Sequence, residues 1–216
     1  MILYGHWRSL ATYRVRVALN LKGIQAQVRE VNLLAKEHLE PAYRAINPQG
    51  LLPALDDGKG QVLFQSLAII EYLNDIQPSP PLLPSGSRAR ARVRALAQVI
   101  AADAYPLIVP RVRDYLEHQL GLNETARMNW IKGFALAALD TIELNLAAEP
   151  SAGAFCVGDT PTMADILLAS HVIGVSFFKL NLTAFPRVCE VYAACSSLSA
   201  FAEAHPLLQP GAPASL

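Results

Sequence analysis

The sequence predicts an α/β domain with a mixed sheet followed by an all-α domain, and three observations predict it. Strand and helix signals alternate through the first eighty residues. Four prolines then fall between Gln77 and Pro84. Beyond them the chain turns Ala- and Leu-rich, with apolar residues at helical spacing to about residue 205.

Ile2 to Tyr4 is a short apolar strand. Thr12 to Leu21 places Tyr13, Val17 and Leu21 at helical spacing, and Gly23 follows as a stop. Gln27 to Val31 is a second strand, Glu37 to Ala45 a short polar helix or turn, and Asn47-Pro48-Gln49-Gly50 a tight turn. Leu51 to Leu55 and Val62 to Gln65 are strands joined by the hairpin signal Asp57-Gly58-Lys59-Gly60, and Ser66 to Ile76 is an amphipathic helix. The order βαβ then ββα gives a mixed sheet of thioredoxin-like layout rather than a doubly wound one. Proline cannot continue a helix, so the Pro-rich segment is a linker between domains at 1–80 and 87–216. In the second domain Gly121, Gly153 and Gly158 mark helix breaks. Thr162-Met163-Ala164-Asp165 is a capping box ahead of the apolar run Ile166 to Val172, and its role is structural.

At 216 residues the chain is long enough for two such domains. With 52% hydrophobic and 17% charged residues it is not a disordered chain. Eighteen basic residues balance eighteen acidic ones, so nothing draws it to nucleic acid or an anionic membrane. Arg88, Arg90, Arg92 and Arg94 stand two apart, which spreads them around a solvated helix start. Cys156, Cys189 and Cys195 form no CxxC pair, so no metal centre is expected and free thiols in a reducing cytoplasm fit. The start MILYGHWRSL lacks a signal-peptide pattern, and the composition suggests no span of ~20 apolar residues.

Four stretches, in order, carry a family resemblance. They are Trp7-Arg8-Ser9-Leu10-Ala11-Thr12-Tyr13-Arg14-Val15-Arg16-Val17-Ala18-Leu19, Asn47-Pro48-Gln49-Gly50-Leu51-Leu52-Pro53-Ala54-Leu55, Gln65-Ser66-Leu67-Ala68-Ile69-Ile70-Glu71-Tyr72-Leu73, and Asp159-Thr160-Pro161-Thr162-Met163-Ala164-Asp165. They resemble the S-S-C-S-x-R-V-R-I-A-L signature, the N-P-x-x-x-V-P-x-L turn, the Q-S-x-A-I-x-x-Y-L helix and the D-x-P-T-x-A-D box of cytosolic glutathione transferases. The resemblance spans essentially the whole chain. The first stretch is similar to the zeta class, whose members include maleylacetoacetate and maleylpyruvate isomerases.

The resemblance implies glutathione as cofactor and assigns it to the first domain. Ser9 matches the serine that hydrogen-bonds the glutathione sulfur, and as a residue at a helix start it also reads as a simple cap. A hydroxyl donor and the positive helix end both favour thiolate, while a free thiol of pKa ~8.5 is a few per cent ionised at neutral pH. Pro53 matches a cis-proline that presents the main chain of Leu52 to the tripeptide. Gln65 and Ser66 match residues that hold the γ-glutamyl carboxylate at a helix N-terminus. His38 matches a position that reaches the glycyl end. Isomerisation requires thiolate addition to a conjugated cis double bond, rotation and release, so cations must meet the developing charge and the substrate carboxylates. Arg8 matches an arginine in that role.

The substrate side departs from the pattern. Leu10 and Ala11 replace the residues after the first serine, and Thr12 keeps a hydroxyl. Tyr105-Pro106-Leu107-Ile108-Val109 stands where bacterial relatives carry H-P-x-N-N, and a second arginine is replaced near Ser176 or Phe177. A pocket lined by Leu10, Ala11, Thr12, Tyr105, Ile108, Ser176 and Phe177 favours a more apolar electrophile. Three readings stand: an isomerase of an unsaturated acid, a transferase for an apolar electrophile, and a non-catalytic glutathione-binding protein. Replacement of Ser9 separates the first two from the third. The family resemblance also implies a cytoplasmic homodimer.

Overall fold

In the computed structural model, which describes residues 1–148 and 153–213, β1 (Ile2–Gly5) lies inside a four-stranded sheet ordered β2-β1-β3-β4. β2 (Gln27–Glu30) pairs parallel to β1, with Leu3 opposite Val28. β3 (Ala54–Asp56) pairs antiparallel to β1, with Leu3 opposite Leu55. β4 (Leu63–Phe64) closes the other edge. Alternation along β1 decides its two faces. Tyr4 joins Ala54, Val31 and Tyr43 in one apolar cluster, whereas Leu3 and Leu55 are fully buried on the opposite face. Each such leucine contributes about 1.5–3 kcal/mol by leaving water. β2 is an exposed edge strand, and Arg29 and Glu30 on it discourage further pairing.

α1 (Leu10–Lys22) begins at Ser9 and ends at Gly23, whose φ of 64° is the left-handed conformation that suits glycine. It packs against α3 (Ser66–Ile76). The polar segment 37–45 is a 3₁₀ turn, Glu37–Leu39, followed by α2 (Pro41–Arg44), because Pro41 restarts the helix as a first-turn residue. The third strand starts at Ala54 rather than at Leu51. The Leu51 carbonyl is taken by Tyr43 Oη–H (2.7 Å) and Asn47 Nδ2–H (2.8 Å), and Pro53 has no N–H for the ladder. Gln65 leaves the fourth strand because its φ is +69°.

Two units divide the chain: Met1–Leu82 with Ser196–Leu216, and Leu83–Cys195. The expected second domain, 87–216, thus loses its tail to the first unit; its residues 149–152 and 214–216 lie outside the described ones. The reason is hydrogen bonding to α1: Asn20 Nδ2–H donates to Ala200 O (3.0 Å) and Arg16 Nε–H to Ala204 O (3.2 Å). The linker is also held to the first unit. Lys22 Nζ donates to Asn74 Oδ1 and to Pro80 O, and Asn74 Oδ1 accepts Leu82 N–H at 2.8 Å.

The second unit is helical: α4 (Ser87–Gln98), a π-helical stretch Val99–Ala104, α5 (Tyr105–Ile108), α6 (Pro110–His118), α7 (Glu124–Ala147), α8 (Met163–Phe177) and α9 (Pro186–Ser196). Its centre is α8, buried from Met163 to Val175. His171 Nε2 meets Ala135 O of α7 at 2.9 Å, and the Glu143 carboxylate of α7 accepts Arg187 N–H and Val188 N–H at the start of α9. The Asp165 carboxylate accepts Thr162 N–H, as the capping-box pattern predicts, and also Thr162 Oγ1–H and Cys156 N–H, each at 2.7 Å. The run Ser87–His118 is, by length and composition, apolar enough to cross a bilayer, which corrects the expectation that no stretch is. Its Val93, Leu96, Ala97, Ile100 and Ala104 are buried.

Candidate active site

β1 ends at Gly5 and the chain turns through His6, Trp7 and Arg8 to Ser9, the residue ahead of α1. Ser9 N–H donates to His6 O (3.1 Å), Arg8 N–H to His6 Nδ1 (3.3 Å), and Tyr13 N–H to Ser9 O (2.9 Å). Ser9 Oγ accepts Thr12 N–H at 3.1 Å. That bond uses a lone pair and leaves the hydroxyl hydrogen free to point elsewhere. Capping the helix and donating to a ligand are therefore compatible. Arg8 is exposed, and Ser9 is buried with 6% of its surface open. Burial holds the pKa of His6 below its ordinary value, against the pull of Glu30, so at neutral pH it is the neutral acceptor that Arg8 N–H needs.

Leu10 is half-buried and Ala11 buried. Thr12 is fully enclosed. A Cβ built on Gly5 would stand 2.3 Å from Thr12 Cγ2, and Thr12 Oγ1 has no hydrogen-bond partner among the described residues. The side chain thus occupies the space that glycine leaves at the end of β1.

Leu52 precedes a cis peptide bond to the buried Pro53, and the sheet pairing begins only at Ala54. Its main chain lies beyond the ladder. Gln65 holds a φ of +69° directly ahead of α3, where a non-glycine residue is strained. Its Nε2–H donates to Gln49 Oε1 (3.1 Å). Ser66 is buried, and Arg14 Nη1 approaches its Oγ at 3.5 Å. Arg14 is itself buried, so a guanidinium from α1 stands at the first turn of α3, where unpaired amides already favour an anion. The sequence reading missed Arg14 and Gln49. An arginine in a helical sequence ordinarily reads as surface, and only the packing of α1 on α3 places this one. His38 is half-buried; its Nδ1 is cut off from solvent and has no hydrogen-bond partner among the described residues, and burial, then Lys36, lowers its pKa. Its carbonyl lies against Gly50, 3.1 Å from where a Cβ would stand.

In the helical unit, Tyr105 follows the π-helical stretch, its N–H bonded five residues back to Ile100 O. Pro106 lacks the donor that an α-helical turn requires, which accounts for the widened turn. Tyr105 is half-buried and Ile108 buried, while Trp130 Nε1–H donates to Leu107 O (2.9 Å). Ser176 is exposed with its hydroxyl donated to Ile173 O (2.7 Å), and Phe177 is half-buried. The end of α8 does carry a cation: the Arg113 guanidinium of α6 stacks 5.5 Å over the ring of Phe178. Among the described residues no three His, Cys, Asp or Glu side chains group as a metal site, and all three cysteines are unpaired.

The model of the glutathione S-transferase N-terminal domain matches residues 8–76, which contain every first-unit position described above from Arg8 to Ser66. A maleylpyruvate isomerase from Ralstonia sp is 44% identical over 97% of this chain and 99% of its own. The holo structure of a maleylpyruvate isomerase, a bacterial zeta-class glutathione S-transferase, superposes with a TM-score of 0.96 at 43% identity, covering 99% of this chain and 100% of that one. A Methylobacterium extorquens maleylacetoacetate isomerase, solved with malonate and glutathione bound, gives 0.96 at 45% identity over the same shares. At these identities over essentially the full length, the chain belongs to the zeta-class glutathione S-transferase family that includes these isomerases.

Proposed function

We propose that this protein is a glutathione-dependent isomerase that converts a cis unsaturated diacid of the maleylpyruvate or maleylacetoacetate type to its trans form. The observation that carries the reading is Ser9. Its oxygen accepts the Thr12 amide while its hydrogen remains to be donated, at the positive end of a 13-residue helix. The donor set fits a peptide thiol. Arg14, Ser66 and the first turn of α3 suit a carboxylate, the Leu52 main chain outside the ladder suits a peptide bond, and Ser9 suits a sulfur. Gln65, Pro53 and His38 complete the assignment. When bound, glutathione supplies a nucleophilic sulfur that adds reversibly to the double bond and frees it to rotate. Ser9 holds that sulfur as thiolate, and the exposed Arg8 meets carboxylate charge. The family resemblance assigns Leu10, Ala11, Thr12, Tyr105, Ile108, Ser176 and Phe177 to substrate, and Arg113 is added as a cation at the end of α8.

A second reading, conjugation of an apolar electrophile, is supported by the apolar character of Leu10, Ile108 and Phe177. Calorimetry with glutathione, followed by isomerisation assays of wild type and Ser9→Ala, decides between them. The first reading expects binding and an isomerisation kcat/KM that falls about 10²–10³-fold in Ser9→Ala. Binding without isomerisation favours the apolar electrophile, and absence of binding refutes both. A homodimer in a reducing cytoplasm is part of the proposal; a single 23.4 kDa species at micromolar concentration in sedimentation would contradict the dimer.

A further inference from the structure

Arg16 sits in the middle of α1 with 7% of its surface open, and among the described residues no carboxylate pairs with it. A buried guanidinium without a counter-charge is costly, and burial pushes its pKa down to about 10. What it has instead is two carbonyls. Nε–H donates to Ala204 O at 3.2 Å and Nη2–H to Trp7 O at 3.5 Å. Side chains of a helix lean toward its N-terminus, so Arg16 reaches back along α1 to the turn that carries Arg8 and Ser9.

We infer that Arg16 is a positioning residue for the catalytic turn, tying the Trp7 carbonyl to the C-terminal tail so that Arg8 and Ser9 are aimed. The Trp7–Arg8 peptide is planar, so fixing its oxygen fixes the direction of Arg8 N–H, which meets His6 Nδ1. The next bond of the turn is Ser9 N–H to His6 O, directly before the helix begins. The tail makes a second approach to the same turn: a Cβ on Gly211 would lie 3.6 Å from Trp7 Cδ1 and 3.2 Å from Glu30 Oε1. A recess of about 380 Å³ borders the tail and α1 beside Arg16, lined by Arg16, Asn20, Ile24, Val28, Glu203 and Gln209. A neutral residue of similar volume would fill the core and leave both carbonyls unanswered.

The inference rests on Ser9 acting on a bound thiol, and two readouts keep the two claims apart. The first is amide hydrogen exchange at Arg8 and Ser9 in the unliganded protein, wild type against Arg16→Met. The clamp expects at least ~10-fold faster exchange at these two amides, with α3 unchanged. The second is the pKa of glutathione thiol in the complex, read from thiolate absorbance against pH. Arg16→Met should raise it, with about a three- to tenfold loss of thiolate at neutral pH, while glutathione Kd changes less than about threefold. Arg16→Lys, which keeps the charge but replaces two spaced donor nitrogens with one, should fall between; it carries both readouts if Arg16→Met does not fold. Wild-type exchange in a folded variant overturns the clamp. Faster exchange with an unaltered thiol pKa, where Ser9→Ala does shift it, overturns the functional half. Failure of the wild type to bind glutathione refutes the isomerase reading, and the exchange experiment still decides the clamp.

Discussion

Gly5 and Thr12 fit only as a pair, and the fit is testable. A methyl at Gly5 would collide with Thr12 Cγ2, so Gly5→Ala should cost about 1–3 kcal/mol in urea unfolding, and Thr12→Ser in the same chain should recover part of it. The histidines set a second expectation. Burial lowers the pKa of His6, which Glu30 and Glu37 raise and Arg8 and Arg16 lower further; burial likewise lowers His38 and His205. As pH falls the unfolded chain takes up these protons first. Stability is then complete above the ordinary value of 6.5 and lost as pH drops through it toward the folded values. Thermal melts should show a lower Tm at pH 5.5 than at pH 7.5, and an equal Tm at both would remove the histidines from the account. At this scale the sequence is readable where function is local. Ser9 and Gln65 announce themselves as residues ahead of helices, and Ser66 as the first residue of one. Arg14 and Arg16 do not, because a buried cation differs from a surface one only through what packs around it.

Among the elements, α8 shows the strongest local device. Asp165 is fully buried and accepts three hydrogen bonds, yet burial outweighs them and its pKa is raised. Asp165→Ala leaves Thr162 N–H and Cys156 N–H without their acceptor and should cost about 2–4 kcal/mol, measured by urea unfolding. The box itself was legible as T-x-x-D, whereas the Cys156 amide was not, since it lies nine positions before Asp165, on the far side of a loop. Strand limits were less legible than helix limits for a related reason. The Ser66 to Ile76 helix carries its period and its start in its own residues. The third strand shortens to Ala54 because the side chains of Tyr43 and Asn47, eight and four residues earlier, claim the Leu51 carbonyl. The apolar run through Tyr105 concealed a π-helical stretch, because the signal for it is one missing donor at Pro106 and not a change in composition.

Across the whole molecule α1 is the hub of the first unit. Its three buried cations each fasten a different segment: Arg14 the start of α3, Arg16 the Trp7 carbonyl and the tail, Lys22 the linker. Lys22→Met should leave the Pro80 carbonyl unheld and make the segment 77–82 cut faster by protease, with little effect on far-ultraviolet circular dichroism; an unchanged cutting rate would show that Asn74 and Leu82 suffice. The proline break was legible from composition, but the return of the tail was not, because its polar ties to α1 span about 180 residues of sequence. That return also bears on how the protein is made. Domains ordinarily fold in the order they leave the ribosome. Here the second unit ends at Cys195, and the first begins at Met1 yet is completed by Ser196–Leu216. Ala204 follows the whole of the second unit in the chain, so the carbonyl that meets Arg16 cannot be in place before that unit has been translated. The turn that carries Ser9 waits for a partner that lies beyond an entire second unit.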